Sequence, residues 1–339
     1  MIKRSPRTIN EDRLSELRDQ GWDSDLLLAR LALMKSEGMR KTMATMRKVP
    51  RIYPEVLPTQ ASGRWSTKKP ALIAFPREFW KKHSHVIYPD PGWWWLDWDW
   101  SGIESRMFTA YSGDQEDIDL FRLGPDIHTF TCSKYLMAWA PGALAGCQTG
   151  DLSLPSDWIG SKDERRTRAK NFRYGVLQYG SLKAGEKTVL GLPGIDKLGI
   201  ERSQLLIRAR KFLDARPKTL AWKQATADGC TRDKMSRTFM GRRRFLFGDS
   251  ETRAKEGLAH KISGSVADLM DWCLIAITTR WPDSYVVLNK HDGAIVAFPK
   301  TLARNVVEPA VRQIVEREWE VGQGVRMTFP ATWEIIEGA

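Results

Sequence analysis

The chain has 339 residues, a length that corresponds to about two ordinary domains. Hydrophobic residues make up 42% of it and charged residues 28%, so the composition excludes a disordered chain and a collagen-like fibre. Its 53 lysines and arginines outnumber its 41 aspartates and glutamates, and the net charge of +12 indicates a polyanionic partner such as a nucleic acid.

The sequence contains no pattern that predicts membrane insertion or secretion. No run approaches the ~20 apolar residues of a membrane-spanning helix, and the first residues carry cations without an apolar leader segment. An acidic membrane surface would nevertheless attract the same positive charge. The four cysteines are scattered and form no C-x-x-C pair, so we expect reduced thiols in a cytoplasmic protein.

The first fifty residues are predicted to be helical, because leucines recur at helical spacings between Leu14 and Leu33. The segment becomes basic from Arg40 onwards, which suits either a solvated helix face or a helix that grips a nucleic-acid backbone. Between Pro54 and Pro91, frequent proline, glycine, serine and threonine indicate loops.

Residues 93–100 predict a buried strand, whose second half alternates aspartate with tryptophan. Because successive side chains of a strand point to opposite faces, Asp97 and Asp99 share one face. Trp98 and Trp100 share the other. We therefore expect a strand with an apolar face in the core and a carboxylate face outside it.

The middle of the chain is predominantly helical in its spacing of apolar residues. Helices are predicted over 101–137 with a break near 124–125, from Ser161 to Gly180, over 201–228 and over 251–281. A capping box at Ser161 to Glu164 begins the second of these, and Gly180 ends it. Residues 141–160 indicate a loop, and 241–248 a basic strand or turn.

The end of the chain is predicted to form a hairpin over 285–298, with its turn at Asp292-Gly293. A closing helix over 301–320 and a short strand follow. Strands separated by a long helical insert predict an α+β fold.

Two acidic residues, Asp99 and Asp292, lie at the ends of predicted apolar strands. Two carboxylates on neighbouring strands could hold two Mg²⁺ ions, which prefer oxygen ligands and keep water and substrate phosphate in their shells. Taken singly, each aspartate is more simply explained as a turn or strand-end residue.

Arg166, Lys170 and Tyr174 recur every four residues and therefore share one helix face. Two cations followed by an aromatic ring suit the phosphates and the base of a nucleotide. The alternative is a solvated basic face with Tyr174 packed in the core, and the neighbouring arginines weaken the specificity of the pattern.

Residues 97–131 contain the patterns D-x-S-x-I-E-x-R and F-x-x-G-x-D-I-H. These resemble the first palm motif of the family A DNA polymerases, the group that includes bacterial DNA polymerase I. Upstream, Ser62–Thr67 resembles an earlier segment of the family pattern. Later motifs are resembled, in the family's own order, by Arg166 to Gly175, Gly241–Arg244, Gly264–Asp268 and His291-Asp292. The resemblance covers about residues 25–300.

The resemblance implies a role for each matching residue. Asp99 and Asp292 would be the catalytic, metal-binding carboxylates of nucleotidyl transfer, with two Mg²⁺ ions as cofactors and Mn²⁺ as a substitute. Arg166, Lys170 and His128 would hold the triphosphate of the incoming nucleotide, and Lys170 would count among the catalytic residues.

The resemblance also implies that Tyr174 stacks beside the nucleotide. Glu104, close to that ring, would be a steric gate that leaves no room for a ribose 2′-hydroxyl, so we expect deoxynucleotides to be preferred. Use of ribonucleotides as well is the competing expectation. Contacts with the primer–template are implied for Arg64, Tyr179, Arg106 and His291.

The sequence departs from the family pattern at several positions. Tyr174 and Tyr179 are separated by one residue more than in the family, which indicates either a bulge in the helix or a shifted register. Gly293 replaces the glutamate that follows His-Asp in the third motif. Ser263 and Ala259 replace a glutamine and an asparagine that contact DNA in the family, so we expect a weaker grip or lower fidelity.

The predicted function is template-directed DNA polymerisation, in which dNTPs are added to the 3′ end of a primer on template DNA. No counterpart of the family's proofreading exonuclease domain is recognisable, so we expect no proofreading. We also expect low processivity unless a partner protein supplies thumb, processivity or exonuclease function. The expected location is the cytoplasm of a bacterial or phage-infected cell. The alternative is a catalytically weak, polymerase-like subunit that binds nucleic acid.

The predicted fold class is α+β, with a right-hand polymerase palm built on an antiparallel sheet, helical fingers and a reduced helical thumb. The predicted parts are a thumb (1–50), the first part of the palm (51–124), the fingers (125–250) and the second part of the palm with the His-Asp hairpin (251–339).

Overall fold

The computed structural model describes most of the chain after residue 88 and short segments before it. The described residues are 54–57, 60, 62–69, 72, 88–123, 126–137, 159, 163–178, 189–192, 195, 200–322 and 324–337. Predictions for residues 1–50, for Ser161, for Tyr179 and for Gly180 therefore lie outside the described residues.

The chain divides into two compact units. One comprises Met1–Thr59 and Trp65–Tyr88, and the other comprises Gln60–Arg64 and Pro89–Ala339. In the first unit, β1 (Glu55–Leu57) pairs antiparallel with β2 (Ser66–Lys68). The predicted division into thumb, palm and fingers stays a prediction.

The strands of the second unit, within its described residues, form one sheet and two small hairpins. In chain order they are β3 (Trp93–Trp100), β4 (Met235–Arg237), β5 (Arg243–Phe245), β6 (Tyr285–Asn289), β7 (Gly293–Pro299), β8 (Glu318–Gly322), β9 (Val325–Thr328) and β10 (Ala331–Glu337). The sheet is antiparallel, with the spatial order β10–β3–β7–β6. The hairpins pair β4 with β5 and β8 with β9.

The helices of the described residues lie between these strands along the chain. They are α1 (Ile103–Ser112), α2 (Gln115–Leu123), α3 (Ile127–Thr131), α4 (Glu164–Phe172), α5 (Arg202–Asp214), α6 (Pro217–Asp233), α7 (Ser250–Ala259), α8 (Ser265–Arg280) and α9 (Arg304–Val315). Wide π-type turns extend α3 over Cys132–Met137 and α4 over Arg173–Gln178, and a third, His260–Gly264, joins α7 to α8. Helices with an antiparallel sheet are the α+β arrangement expected from the sequence.

The central strand β3 has one face in the core. Trp98 and Trp100 are buried in a cluster that includes residues of α1, α8 and α9, and Trp100 Nε1 donates to the Val315 carbonyl at 3.2 Å. Asp97 and Asp99 are only partly buried. The predicted alternation is confirmed, and it directs both carboxylates to the face opposite these two tryptophans.

One helical stretch of the described residues, Ser250–Arg280, is long and apolar enough to cross a membrane by length and composition alone. This differs from the expectation that no segment approaches that length. Its most apolar window has a mean hydropathy of 1.2 and is 56% buried inside the protein. The apolar side chains of this stretch are therefore those of a core helix.

Two helix boundaries differ from the predictions. The N-cap of α4 is Asp163, whose Oδ1 accepts from the Arg165 N–H at 2.9 Å, rather than Ser161. The helix predicted over 201–228 is two helices, α5 and α6, because Pro217 lacks the N–H that would continue the first and instead begins the second.

The end of the chain contains more strand than predicted. The closing helix predicted over 301–320 is the shorter α9, and three strands follow it rather than one. Trp319 and Val321 alternate with polar residues, a period of two that belongs to a strand. Strand β10 then completes the sheet by pairing with β3 from Ala331↔Trp100 to Glu337↔Trp94.

Candidate active site

Asp99 and Asp292 lie next to each other at one end of the sheet, although they are far apart in the chain. Asp99 is opposite Gly293 in the pairing of β3 with β7, and the Trp100 N–H donates to the Asp292 carbonyl at 2.7 Å. The pKa of Asp292 is raised, first by burial and then by the negative charge of Asp99. The structure thus brings these two carboxylates within electrostatic reach of each other.

A tight turn before β7 sets the position of Asp292. The Asp292 N–H donates to the Lys290 carbonyl at 3.0 Å, and the Lys290 N–H donates to the Gly293 carbonyl at 2.7 Å. His291, between them, has a φ of 75°, which costs a non-glycine residue some free energy. The turn is therefore centred on His291. The prediction of a turn at Asp292-Gly293 is wrong, because Gly293 already pairs with β3.

His291 and Asp97 flank the carboxylate pair. Burial, and then the positive charge of Arg64, lowers the pKa of His291. Within the described part of the chain, its buried Nδ1 has no hydrogen-bond partner. Asp97 forms an ion pair with Lys290 of the turn, although burial raises the pKa of the Asp97 carboxyl. Asp97 therefore supports the hairpin that carries Asp292.

Glu104, in the first turn of α1, is bound by side chains from two other parts of the chain. Its Oε1 accepts from Ser263 Oγ at 3.0 Å and forms an ion pair with the Arg64 guanidinium. The side chains of Arg64 and Glu104 are 24% and 21% exposed, so water still reaches this pair. The predicted sugar gate and a predicted primer–template contact therefore lie side by side.

Tyr174, Lys170 and His128 form a second cluster beside α4. The ring centroids of His128 and Tyr174 are 5.9 Å apart, and Lys170 Nζ lies 5.7 Å from the Tyr174 ring. Burial is the main cause of the raised pKa of Tyr174, and the charges of Glu104 and Asp292 add to it. Tyr174 is therefore within electrostatic reach of the carboxylates of Glu104 and Asp292.

The helix α4 ends in the π-type turn Arg173–Gln178. A turn of this kind accommodates one extra residue within a helix, as the spacing of Tyr174 and Tyr179 required. The buried Lys223 Nζ donates to the Leu177 carbonyl in this turn at 2.5 Å. This wide turn is a bulge of the kind that one of the two alternatives predicts, and the register of Arg166 and Lys170 stays a prediction.

Arg166 is engaged by Asp126, the N-cap of α3. Its Nε and Nη2 donate to the two carboxylate oxygens of Asp126 at 2.8 and 2.6 Å. Burial lowers the pKa of the neighbouring His128 to about 3 despite the attraction of Asp126. His128 is therefore neutral near pH 7, and the positive charge beside it on α4 comes from Arg166 and Lys170.

The Arg106 guanidinium makes its contacts with groups of the protein itself. It donates to the carbonyls of Ser101 at 3.1 Å and Phe121 at 3.3 Å, and it lies 4.5 Å from the centre of the Phe121 ring. Burial lowers its pKa to about 10. These contacts join α1 to α2, and the predicted role of Arg106 in binding DNA stays a prediction. Tyr179 lies outside the described residues.

A buried ion cluster on α2 was not predicted. Asp117 accepts from Arg173 and Arg216, and all three side chains are fully buried. Burial alone would raise the pKa of Asp117, but the two cations outweigh it and lower the pKa. The partners are 56 and 99 positions from Asp117, so no local sequence pattern could have predicted the cluster. It ties α2 to the π-type turn of α4 and to the start of α6.

The carboxylate pair fits a hard divalent ion that takes its other ligands from water and phosphate. Burial, and then the negative charge of Asp99, raises the pKa of Asp292, and a cation between the two carboxylates would offset both effects. Among the described residues, no group of three or more His, Cys, Asp or Glu side chains could hold a metal ion alone. An ion at this pair would therefore depend on substrate oxygens.

Comparisons with known sequences point to one family. Residues 2–144 match the family model described as DNA polymerase family A. The thermostable DNA polymerase I of Thermus aquaticus is 28% identical over 283 residues, which cover 78% of this chain and 31% of that protein. The DNA polymerase I of Chloroflexus aurantiacus is 27% identical over 296 residues, which cover 81% of this chain and 28% of that protein. The chain thus spans less than a third of either relative.

The fold of this chain is similar to that of a solved polymerase structure. The POL domain of Pol1 from M. smegmatis, in complex with DNA primer-template and dNTP, matches with a TM-score of 0.70 at 20% sequence identity. The match covers 98% of this chain and 57% of that chain. The family resemblance and the α+β polymerase fold class inferred from the sequence are confirmed. The predicted thumb helices lie outside the described residues.

Proposed function

We propose that this relative of the family A DNA polymerases is itself a template-directed DNA polymerase that adds dNTPs to the 3′ end of a primer. The observation that carries the proposal is the adjacency of Asp99 and Asp292. Asp292 also lies within electrostatic reach of Tyr174, which follows the cationic helix α4. The similarity to proteins named DNA polymerase I supports it. Because the chain spans less than a third of those relatives, the activity has to be tested on the chain itself.

Asp99 and Asp292 are the residues that would hold two Mg²⁺ ions, or Mn²⁺ in their place. When bound, such ions activate the primer 3′-hydroxyl and stabilise the leaving pyrophosphate. Arg166 and Lys170 bind the triphosphate and neutralise the charge that develops on it, with Arg166 exchanging its Asp126 partner for phosphate. His128, being neutral, contributes a hydrogen bond and no charge.

The remaining residues select and orient the substrates in this proposal. Tyr174 offers its ring to the incoming base. Glu104 excludes a ribose 2′-hydroxyl, which restricts the enzyme to dNTPs. Arg64 and His291 contact the primer–template, whose phosphates the net charge of +12 attracts. A primer–template contact of Tyr179 also belongs to the proposal, and Tyr179 lies outside the described residues.

The experiment that tests the proposal is extension of a labelled primer on a DNA template by the purified chain with Mg²⁺ and dNTPs. We expect extension by the native chain and its loss, by at least about a thousandfold, in Asp99→Asn and in Asp292→Asn. Glu334→Gln is the matched control, because Glu334 is a carboxylate of the same sheet, opposite Asp97. Extension that survives both aspartate substitutions would contradict the proposal.

The alternative is a catalytically weak subunit that binds nucleic acid. The absence of a third carboxylate at Gly293 and the engagement of Arg166 by Asp126 favour it. In that case, the chain would bind primer–template with a strong dependence on salt but would not extend it under any of the conditions above.

Three further expectations belong to the same proposal. A partner protein is expected to supply thumb, processivity or exonuclease function, and adding it would lengthen the products made per binding event. We expect no excision of a mismatched primer 3′ end by this chain, which incubation without dNTPs tests. We also propose a cytoplasmic location, which cell fractionation tests.

A further inference from the structure

We infer that Ser263 is a positioning residue for Glu104 and thereby helps the protein to select the sugar of the incoming nucleotide. The inference rests on the proposed polymerase function and deepens it. From the sequence motif, Ser263 stands at a position expected to contact the primer–template. Its contacts in the structure assign it to a different task.

The Ser263 hydroxyl is directed at Glu104. Its Oγ donates to Glu104 Oε1 at 3.0 Å, which is ordinary hydrogen-bond geometry. Ser263 is only 9% exposed, so it has little surface to offer to a DNA groove. The side chain is therefore placed to hold a carboxylate inside the protein and is poorly placed to read the primer–template from outside.

The hydroxyl and the Arg64 guanidinium hold the same carboxylate oxygen. Arg64 also donates a hydrogen bond to this oxygen, so Glu104 is held by one charged and one neutral donor. A hydrogen bond to an ionised group typically favours one geometry by about tenfold or more. Loss of the serine hydroxyl therefore removes one of two comparable restraints on the Glu104 side chain.

One guanidinium keeps both restraints in place. Arg242 Nη2 donates to the Ser62 carbonyl at 2.9 Å and to the Gly264 carbonyl at 2.8 Å. Ser62 is two residues before Arg64, and Gly264 directly follows Ser263. The segment that carries Arg64 and the turn that carries Ser263 are therefore both bonded to the Arg242 guanidinium. These bonds to the two backbones fix the distance between the two restraints.

The Glu104 carboxylate lies close to the place where the proposed function puts the sugar of the nucleotide. Glu104 is within electrostatic reach of the Tyr174 hydroxyl, and so is Asp292. In the proposed function the nucleotide stacks on Tyr174 while Asp292 holds its metal ions. Without the Ser263 hydroxyl, Glu104 would be held by Arg64 alone, would occupy its present rotamer less of the time and would block the space for a 2′-hydroxyl less completely.

The test compares Ser263→Val with Ser263→Thr in the full chain, since the two side chains have the same shape and differ in the hydroxyl. Single-nucleotide incorporation is measured with a dNTP and with the matching NTP, and the ratio of the two kcat/KM values gives the sugar selectivity. We expect the valine variant to lower this ratio about tenfold and the threonine variant to restore it. In a Glu104→Ala background, Ser263→Val should change the ratio no further.

Each outcome decides the inference. A valine variant with an unchanged ratio and a raised Kd for primer–template would overturn it, because Ser263 would then act on DNA. A native chain that incorporates no dNTP would overturn the polymerase proposal, and this inference with it. Unfolding temperatures show whether the valine variant folds, and Ser263→Ala takes its place if it does not.

Discussion

Gly293 of β7 lies directly opposite Asp99 of β3, so close that a Cβ atom on Gly293 would be 2.9 Å from the Asp99 Cα. The same Cβ would be 2.2 Å from the Trp98 carbonyl oxygen. Both atoms belong to the backbone and cannot rotate away, so only glycine fits this register. The third carboxylate of the family motif is therefore absent for a steric reason, and the proposed metal site relies on Asp99 and Asp292.

We predict that Gly293→Glu damages the site rather than completing it. The added side chain would push β3 from β7 next to Asp99, which we expect to cost about 2 kcal/mol or more of unfolding free energy and to abolish primer extension. Denaturant unfolding and primer extension measure both effects. Gly229→Ala in α6, where the nearest atom to a new Cβ is 3.9 Å away, is the control and should stabilise by about 0.5–1 kcal/mol. A Gly293→Glu variant with normal stability and raised primer-extension activity would contradict this prediction.

We predict that Lys170→Met lowers kcat/KM for dNTP incorporation by about a hundredfold or more, because it removes a charge proposed to neutralise the triphosphate. The control is Arg168→Met on the same helix, whose side chain is paired with Glu164. It should change kcat/KM less than about threefold. Steady-state kinetics on one primer–template separates the two variants. Equal losses in both would mean that only the overall charge of α4 matters.

We predict that Asp117→Asn destabilises the protein by about 3–5 kcal/mol, because Arg173 and Arg216 would remain buried without their shared carboxylate. Urea unfolding at pH 7 measures the loss. Asp119→Asn, on the same helix and bonded to Gln115 in an exposed position, should change the unfolding free energy by less than about 0.5 kcal/mol.

The same pair of variants has an expected pH dependence. The pKa of Asp117 is lowered in the folded protein, so its stabilising contribution is complete above the ordinary carboxyl range and is lost as pH falls through the lowered pKa. The difference in stability between the native chain and Asp117→Asn should therefore shrink only in strong acid. A difference that already vanishes between pH 6 and pH 5 would contradict the lowered pKa.

We predict that Lys223 makes the native protein gain stability at alkaline pH relative to Lys223→Met. Burial lowers the pKa of Lys223 from 10.5 to about 8 in the folded protein. The cost of burying the ammonium is therefore complete below pH 8 and disappears between pH 8 and 10.5, a gain of up to about 3 kcal/mol. Urea unfolding at pH 7, 8, 9 and 10 measures it. The control is Lys218→Met, the same substitution at an exposed position of the same helix.

The local patterns of the sequence were sufficient for the strand and for the helix face of the site. Alternation in residues 93–100 predicted that Asp97 and Asp99 share a face, and the burial of the strand confirms it. A repeat of four predicted that Arg166, Lys170 and Tyr174 share a helix face. The helix was found, but its N-cap was not, and the bulge in its final turn was only one of two alternatives, because caps and π-type turns depend on single contacts rather than on a repeat.

The second catalytic candidate shows where local reasoning failed. Both strands of the 285–298 hairpin were predicted, yet the turn was placed at Asp292-Gly293. A glycine after an aspartate usually marks the turn itself. Here Gly293 is required for the close approach of β3, and the turn falls on His291 instead. The competing requirement comes from a strand nearly two hundred positions earlier in the chain, which no hairpin rule takes into account.

The sequence alone predicted the resemblance to the family A DNA polymerases, the fold class and the two aspartates as candidate metal ligands, because motif spacing and apolar periodicity are properties of neighbouring residues. Only the tertiary structure decided that Ser263 holds Glu104, that Asp126 engages Arg166 and that Gly293 excludes a third carboxylate. The reason is physical: hydrogen bonds, ion pairs and steric exclusion act over a few ångströms of space. The chain must be folded before residues from α1, β7 and the turn after α7 come that close.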